Sequence, residues 1–194
     1  MAPNRYFCLA DEVKKIKPKT ILEVGTHNGR SASIMLEEAV KHNADVKYFG
    51  FDLFEDMTEE IAVKEHHGKK LPSMSIASQK LAPYYATLFK GDTKETLAEF
   101  RPDEPVDFVF IDGGHSVETI ESDWNNIKEV ISDSSVVVFD DYYTERTDVG
   151  CKTLVDSLEE EGYDVQEIES GISFSKKRDL GQQIGVSMMK VTKK

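Results

Sequence analysis

Helical periodicity and short apolar runs alternate along the first quarter of the chain. Apolar residues recur at helical spacing over residues 5–16 and again over 31–41. Each of these segments is followed by a short apolar run typical of a buried strand, at 20–24 and at 46–52. The order strand, helix, strand predicts a βαβ unit, in which the two strands run parallel.

The same alternation continues to the end of the chain. The further predicted elements are, in order, strand 87–90, helix 93–100, strand 106–112, helix 117–131, strand 135–140, helix 150–162 and strands 163–168 and 184–191. Such an order predicts an α/β fold of the Rossmann-like, doubly wound kind, with a mostly parallel sheet and helices on both faces. No helix separates the last two strands, so we expect them to form an antiparallel pair that closes the sheet at the C-terminus.

Nothing in the pattern divides the chain into two domains. The 194 residues contain no internal repeat, no low-complexity tract and no long linker of Pro, Gly and Ser. We therefore expect a single domain over residues 1–194. Residues 57–85 are polar and irregular, and they predict an insertion or lid on the substrate side.

Charge and composition exclude several classes of partner. The chain has 36 acidic and 24 basic residues and a net charge of −12, which disfavours a nucleic-acid partner because phosphate binding depends on Lys and Arg. No apolar run approaches the length of a membrane span, and the opening residues lack a secretory signal, so we expect a cytoplasmic protein with no membrane partner. Cys8 and Cys151 are far apart in sequence, and we expect packed thiols rather than a disulfide framework or a zinc site.

Acidic residues stand at the carboxyl end of every predicted parallel strand. Ligands of open parallel sheets bind at this edge, where loop amides and helix N-termini converge. The residues concerned are Glu23, Asp52, Asp92, Asp112 and the pair Asp140 and Asp141. Their regular placement predicts one shared site.

The first strand is followed by a glycine-containing loop that opens a helix. Gly25 and Gly29 permit a sharp turn and a close approach of a ligand to the backbone. Their spacing is not the G-x-G-x-x-G of dinucleotide-binding proteins. A plain tight turn is the alternative, but Asp52 lies where an acidic residue can accept hydrogen bonds from ribose hydroxyls.

Two groups of motifs carry a family resemblance, which extends from about residue 20 to 143. The run 21–31, ILEVGTHNGRS, resembles the first motif of class I S-adenosylmethionine-dependent methyltransferases, and FGFD at 49–52 resembles their second. The runs 106–116 and 138–142 are similar to a bacterial subgroup of metal-dependent sugar O-methyltransferases of macrolide biosynthesis. They also resemble, more distantly, the catechol O-methyltransferase type.

The resemblance implies S-adenosylmethionine as cofactor. The residues that it assigns to cofactor binding are Glu23, Gly25, Thr26, His27, Ser31, Asp52, Leu53, Gly91, Asp92, Thr93 and Asp112. Backbone amides at the helix N-terminus would receive the methionine carboxylate, Asp52 the ribose hydroxyls, and Leu53 would pack on the adenine. Glu23 would sit beneath the loop and help to hold either the loop or the amino group. For Asp92 the alternative role is that of a helix N-cap.

The resemblance also implies a metal site and a general base. Asp112, Asp140 and Asp141 match the positions that bind Mg²⁺ in metal-dependent members, and Mg²⁺ prefers such oxygen ligands. Alternatively, Asp112 borders the cofactor and Asp141 caps a turn. His115 stands where catechol-type enzymes have a lysine, and it is a candidate general base because an imidazole is the side chain best suited to accept a proton at neutral pH. The alternative is a histidine held by backbone at a helix entry.

These observations predict a methyltransferase that uses S-adenosylmethionine and carries out metal-assisted O-methylation of a small hydroxylated molecule, sugar-like or catechol-like. One alternative is a non-catalytic protein of the same fold that binds the cofactor or a partner. Another is an NAD-dependent oxidoreductase, for which both the compact glycine fingerprint and a Tyr-x-x-x-Lys proton donor are missing. A macromolecular methyltransferase is disfavoured by the net charge. A homodimer could form through the edge of the last strands.

Overall fold

The structure, a computed structural model, describes residues 5–65, 71–174 and 183–194. For residues 170–174 and 183–184 it describes the backbone and not the side chains. The helices are α1 (Phe7–Ile16), α2 (Arg30–Ala39), α3 (Glu59–Glu65), α4 (Met74–Leu81), α5 (Thr93–Glu99), α6 (Val117–Ile127) and α7 (Lys152–Leu158). The strands are β1 (Thr20–Val24), β2 (Lys47–Asp52), β3 (Tyr85–Lys90), β4 (Val106–Ile111), β5 (Ile131–Tyr143), β6 (Tyr163–Phe174) and β7 (Gln183–Lys193).

All seven strands belong to one sheet, in the order β3-β2-β1-β4-β5-β7-β6. The pairs from β3 through to β5 are parallel, whereas β7 is antiparallel to both β5 and β6. This confirms the predicted doubly wound sheet and its antiparallel closing pair. The strand order reverses between β1 and β4, and their carboxyl ends therefore border the crevice in which such sheets bind ligands.

Helices cover both faces of the sheet, three on each side. Apolar residues of α1, α2 and α4 pack with Ile21 and Phe108 on one face. Those of α5, α6 and α7 pack with Leu22 and Val109 on the other. All five residues of β1 are buried, as expected for a central strand enclosed on two sides.

Several element boundaries differ from the sequence-based prediction. The helix predicted to reach residue 131 ends at Ile127, and β5 begins at Ile131 rather than at 135. Apolar spacing continues past the helix end, but the carbonyl of Val130 accepts the Val106 amide at 2.8 Å and so belongs to the sheet edge. Strand β6 runs to Phe174 because β7 supplies backbone partners beyond the apolar part of the pattern.

The segment predicted as an insertion or lid contains two short helices, α3 and α4, between β2 and β3. Residues 66–70 within it lie outside the described residues. Helix α4 packs against the first loop, since a side chain at Gly29 would contact Leu81 at 3.4 Å. Its role as a lid stays a prediction. Among the described residues no helix has the length and apolar character needed to cross a membrane.

Candidate active site

A cavity of about 720 Å³ opens at the carboxyl ends of β1, β2 and β4. Nine of the eleven predicted cofactor residues line it, and they come from four separate segments. They are Gly25, Thr26, His27 and Ser31 from the first loop and α2, Asp52 and Leu53 after β2, Asp92 and Thr93 before α5, and Asp112 after β4. The other two, Glu23 and Gly91, are not part of its wall.

Gly25 lets the first loop pass close to the end of β4. Its φ is +89°, a left-handed conformation that favours glycine. A Cβ atom built on Gly25 would lie 2.0 Å from the backbone carbonyl oxygen of Asp112. The amide of Gly25 also donates to the Phe51 carbonyl at 2.8 Å. Any side chain at this position would therefore force the loop and the β4 end apart.

Glu23 supports the first loop from beneath. Its carboxyl is fully buried and accepts hydrogen bonds from the Ser31 and Tyr48 hydroxyls. The Tyr48 hydroxyl in turn lies 3.2 Å from Thr26 Oγ1. Burial raises the pKa of Glu23 to about 7. The structure thus connects Glu23 to two residues of the cavity wall without placing it on that wall.

Asp52 is fixed at the cavity wall by two backbone amides. One carboxylate oxygen accepts from His27 N and the other from Phe54 N, each at 2.7 Å. The side chain is 7% exposed, and burial raises its pKa above the ordinary value of 3.8. These bonds hold the carboxylate against the first loop, at the end of β2 and on the cavity wall.

Asp92 caps α5 and also belongs to the cavity wall. Its carboxylate accepts from Lys94 N at 2.9 Å, which makes it the N-cap of α5, and it also lines the cavity. Gly91, just before it, donates its amide to the Asp52 carbonyl at 3.0 Å. Gly91 therefore joins the ends of β2 and β3 behind the wall.

A second group of titratable residues lies beside the cavity. Single ligand atoms of Asp112, His115 and Asp141 all come within 4.8 Å of one another. His115 is 3% exposed, and its Nε2 lies 2.8 Å from Asp141 Oδ2. Tyr143 donates to the other oxygen of Asp141 at 3.0 Å. His115 does not line the main cavity but a small adjoining pocket shared with Asp112.

Asp140, the third predicted metal ligand, has different partners. Its Oδ1 accepts from the Asp141 amide at 2.7 Å and from Arg5 Nη2 at 2.5 Å. The next residue, Tyr6, lines the cavity and donates its hydroxyl to Asp112 Oδ2 at 3.0 Å. The sequence prediction missed both Arg5 and Tyr6. Neither has a local signal, because their partners lie more than 100 positions away along the chain.

Comparison with known proteins identifies the family. A family model described as a methyltransferase domain matches residues 22–142, which is more than half of the chain. The chain belongs to the class I S-adenosylmethionine-dependent methyltransferases. The match covers the first loop, the end of β2, the acidic residue after β4 and the acidic pair near the end of β5.

Solved structures share the fold of this methyltransferase at low sequence identity. The O-methyltransferase TomG from Streptomyces achromogenes, involved in tomaymycin synthesis and solved with S-adenosylmethionine, has 16% identity and a TM-score of 0.65 over 99% of this chain and 81% of its own. The O-methyltransferase from Bacillus cereus, solved with S-adenosylhomocysteine, has 16% identity and a TM-score of 0.65 over 100% and 82%. Cofactor-bound Rv0187 from MTB has 14% identity and a TM-score of 0.68 over 99% and 80%. No curated protein matches the methyltransferase by sequence.

Proposed function

We propose that this methyltransferase transfers a methyl group to a hydroxyl oxygen of a small molecule with vicinal hydroxyls, sugar-like or catechol-like, with the help of a divalent cation. The observation that carries this proposal is the cluster of Asp112, His115 and Asp141 beside the cofactor cavity. Two of the similar structures are O-methyltransferases, which favours oxygen as the acceptor atom.

The cavity wall has the groups that an S-adenosyl ligand needs. When bound, S-adenosylmethionine supplies an electrophilic methyl group on a positively charged sulfur. Asp52 presents a fixed carboxylate to the ribose hydroxyls. The first amides of α2 would receive the methionine carboxylate, while the Ser31 hydroxyl is bonded to Glu23 beneath the loop. Leu53 and Thr93 form the adenine side of the wall.

The donor set beside the cavity fits a divalent cation. Asp112 and Asp141 offer carboxylate oxygens and His115 a ring nitrogen, close enough together to share one ion. Asp112 and Asp141 would hold the ion, and Asp140 would join them if its bond to Arg5 opened. Such an ion, when bound, lowers the pKa of a hydroxyl that it coordinates and orients that hydroxyl.

His115 is the candidate acceptor of the substrate proton. Asp141 Oδ2 lies 2.8 Å from His115 Nε2 and so fixes the orientation of the imidazole. The same carboxylate stabilises the imidazolium once the proton has arrived. Asp141 is therefore both a candidate metal ligand and the residue that orients His115.

The size and composition of the cavity support a small acceptor. Its volume falls within the range of about 300–1,000 Å³ common for small-molecule sites. Tyr6, Met57 and Ile61 contribute apolar surface to the cavity wall. A small-molecule partner, with neither nucleic acid nor membrane involved, agrees with the net charge of −12.

A direct test is transfer of label from methyl-labelled S-adenosylmethionine to paired acceptors. Catechol and a sugar with vicinal hydroxyls would be compared with phenol and the corresponding deoxy sugar, with Mg²⁺ or with EDTA. We expect methylation only of the vicinal pairs and its loss with EDTA. If phenol and the deoxy sugar are methylated as well as the vicinal pairs, and EDTA has no effect, metal-assisted transfer is refuted. The family assignment would be unchanged.

A further inference from the structure

Arg5 and Tyr6, the two described residues before α1, reach the acidic cluster. Arg5 Nη2 lies 2.5 Å from Asp140 Oδ1, and the two side chains are 30% and 2% exposed. The adjacent Tyr6 is bonded to Asp112. These two consecutive residues therefore contact two of the three carboxylates predicted to bind a metal.

Arg5 supplies positive charge to the cluster as a whole. The attraction of Asp140, Asp141 and Asp112 raises the pKa of its guanidinium, against the opposing effect of burial. Three carboxylates so close together would otherwise repel one another. The Arg5 guanidinium is therefore the countercation of the cluster. It lies beside the same carboxylates that would attract a divalent ion.

Asp140 is the residue for which the two cations compete. Its Oδ1 already accepts from Arg5 and from the Asp141 amide, so binding of an ion through this oxygen requires Arg5 to leave. Even an ion bound only by Asp112 and Asp141 would be repelled by the nearby guanidinium. Removing the charge of Arg5 should therefore favour the ion.

We propose that Arg5 is the countercation of the acidic cluster and that a divalent ion competes with it, so that Arg5 sets the metal affinity of the site. Arg5 is in this sense a positioning residue that acts through Asp140. The inference rests on the metal site of the proposed function, but it does not depend on methyl transfer.

The test measures Mn²⁺ affinity by calorimetry and by electron paramagnetic resonance of the free ion. We expect Arg5→Gln to bind Mn²⁺ at least tenfold more tightly than the wild type and Arg5→Lys to stay close to the wild type. Arg101→Gln is the matched control, because Arg101 bonds only to nearby backbone carbonyls on the surface. Adding Asp112→Asn to Arg5→Gln should abolish the gain, which places the ion at the cluster.

Unchanged or weaker Mn²⁺ binding by Arg5→Gln would overturn the proposal, as would absence of binding in every variant. A merely structural role for Arg5 would lower the affinity rather than raise it. If Arg5→Gln does not fold, the proposal is tested on the wild type by the rate at which trypsin cleaves after Arg5, with and without Mn²⁺. Competition predicts faster cleavage with Mn²⁺ because the guanidinium is released, and an unchanged rate would contradict it. Binding of S-adenosylhomocysteine, measured on the same samples, tests the proposed function separately.

Discussion

Replacing Glu23 by glutamine should change how the stability of the protein depends on pH. The carboxyl is fully buried under the first loop, and burial raises its pKa from 4.5 to about 7. A group whose pKa is higher in the folded than in the unfolded state binds its proton more tightly when folded. Its stabilising contribution is therefore complete below pH 4.5 and is lost as the pH rises through 7.

The size of the effect follows from the pKa difference. Each unit is worth about 1.4 kcal/mol, so the whole shift corresponds to about 3 kcal/mol. Between pH 5 and pH 8.5 about 2.5 kcal/mol of the unfolding free energy should be lost through Glu23. Asp123 is also fully buried, which raises its pKa to about 7, so its contribution to the stability of the protein is lost over the same pH range. The difference between wild type and Glu23→Gln isolates the first group, because both proteins keep Asp123.

Urea unfolding followed by the fluorescence of the single tryptophan, Trp124, measures this difference. Trp124, a residue of α6, is buried in the core between α6 and the sheet, so its emission reports global unfolding. We expect the wild type to lose stability relative to Glu23→Gln by about 2 to 3 kcal/mol from pH 5 to pH 8.5. Parallel stability curves for the two proteins would refute the conclusion that Glu23 is buried with a raised pKa.

Three further substitutions test the cavity. Gly25→Ala should abolish binding of S-adenosylhomocysteine in calorimetry, because the new Cβ would lie 2.0 Å from the Asp112 carbonyl oxygen. Gly162→Ala is the control and should bind normally, because Gly162 has a similar φ of +92° but no atom within 4 Å of a Cβ at that position. Asp52→Asn should weaken binding of S-adenosylhomocysteine by about tenfold or more, which is the usual cost of losing a charged hydrogen bond. An unchanged affinity would show that Asp52 does not bind the ribose. His115→Gln should lower kcat by about 100-fold or more while affinity for S-adenosylhomocysteine stays within about twofold, and an unchanged kcat would exclude it as the base.

The sheet could be predicted because its strands carry strong local signals. The short apolar run of β1 is typical of a buried strand, and all five of its residues are buried in the structure. Asp52 stands at the end of the next strand along the chain. Knowing that carboxyl ends converge then brings Asp52 and Asp112 to one cavity. Boundaries were less predictable: Ile131 continues a helical pattern but pairs with Val106 in the sheet.

The contacts around the acidic cluster could not be predicted, because they depend on chain segments distant in sequence. Nothing in the residues around Arg5 indicates Asp140 as its partner, since only the path of the chain before α1 brings them together. For Glu23 the resemblance implied a position beneath the first loop, holding either the loop or the cofactor's amino group, and its oxygens bond to Ser31 and Tyr48. The Tyr48 partner could not be predicted, because the direction of a side chain is not encoded locally in the sequence.

Calorimetric titration of the protein with S-adenosylhomocysteine, with NAD⁺ as a matched nucleotide control, tests the central claim most directly. Both ligands present an adenosine to Asp52, but only the first has an amino-acid end for the backbone amides at the start of α2. We predict saturable one-to-one binding of S-adenosylhomocysteine and no heat with NAD⁺. Binding of NAD⁺ alone, or of neither ligand, would contradict the assignment of this cavity to S-adenosylmethionine.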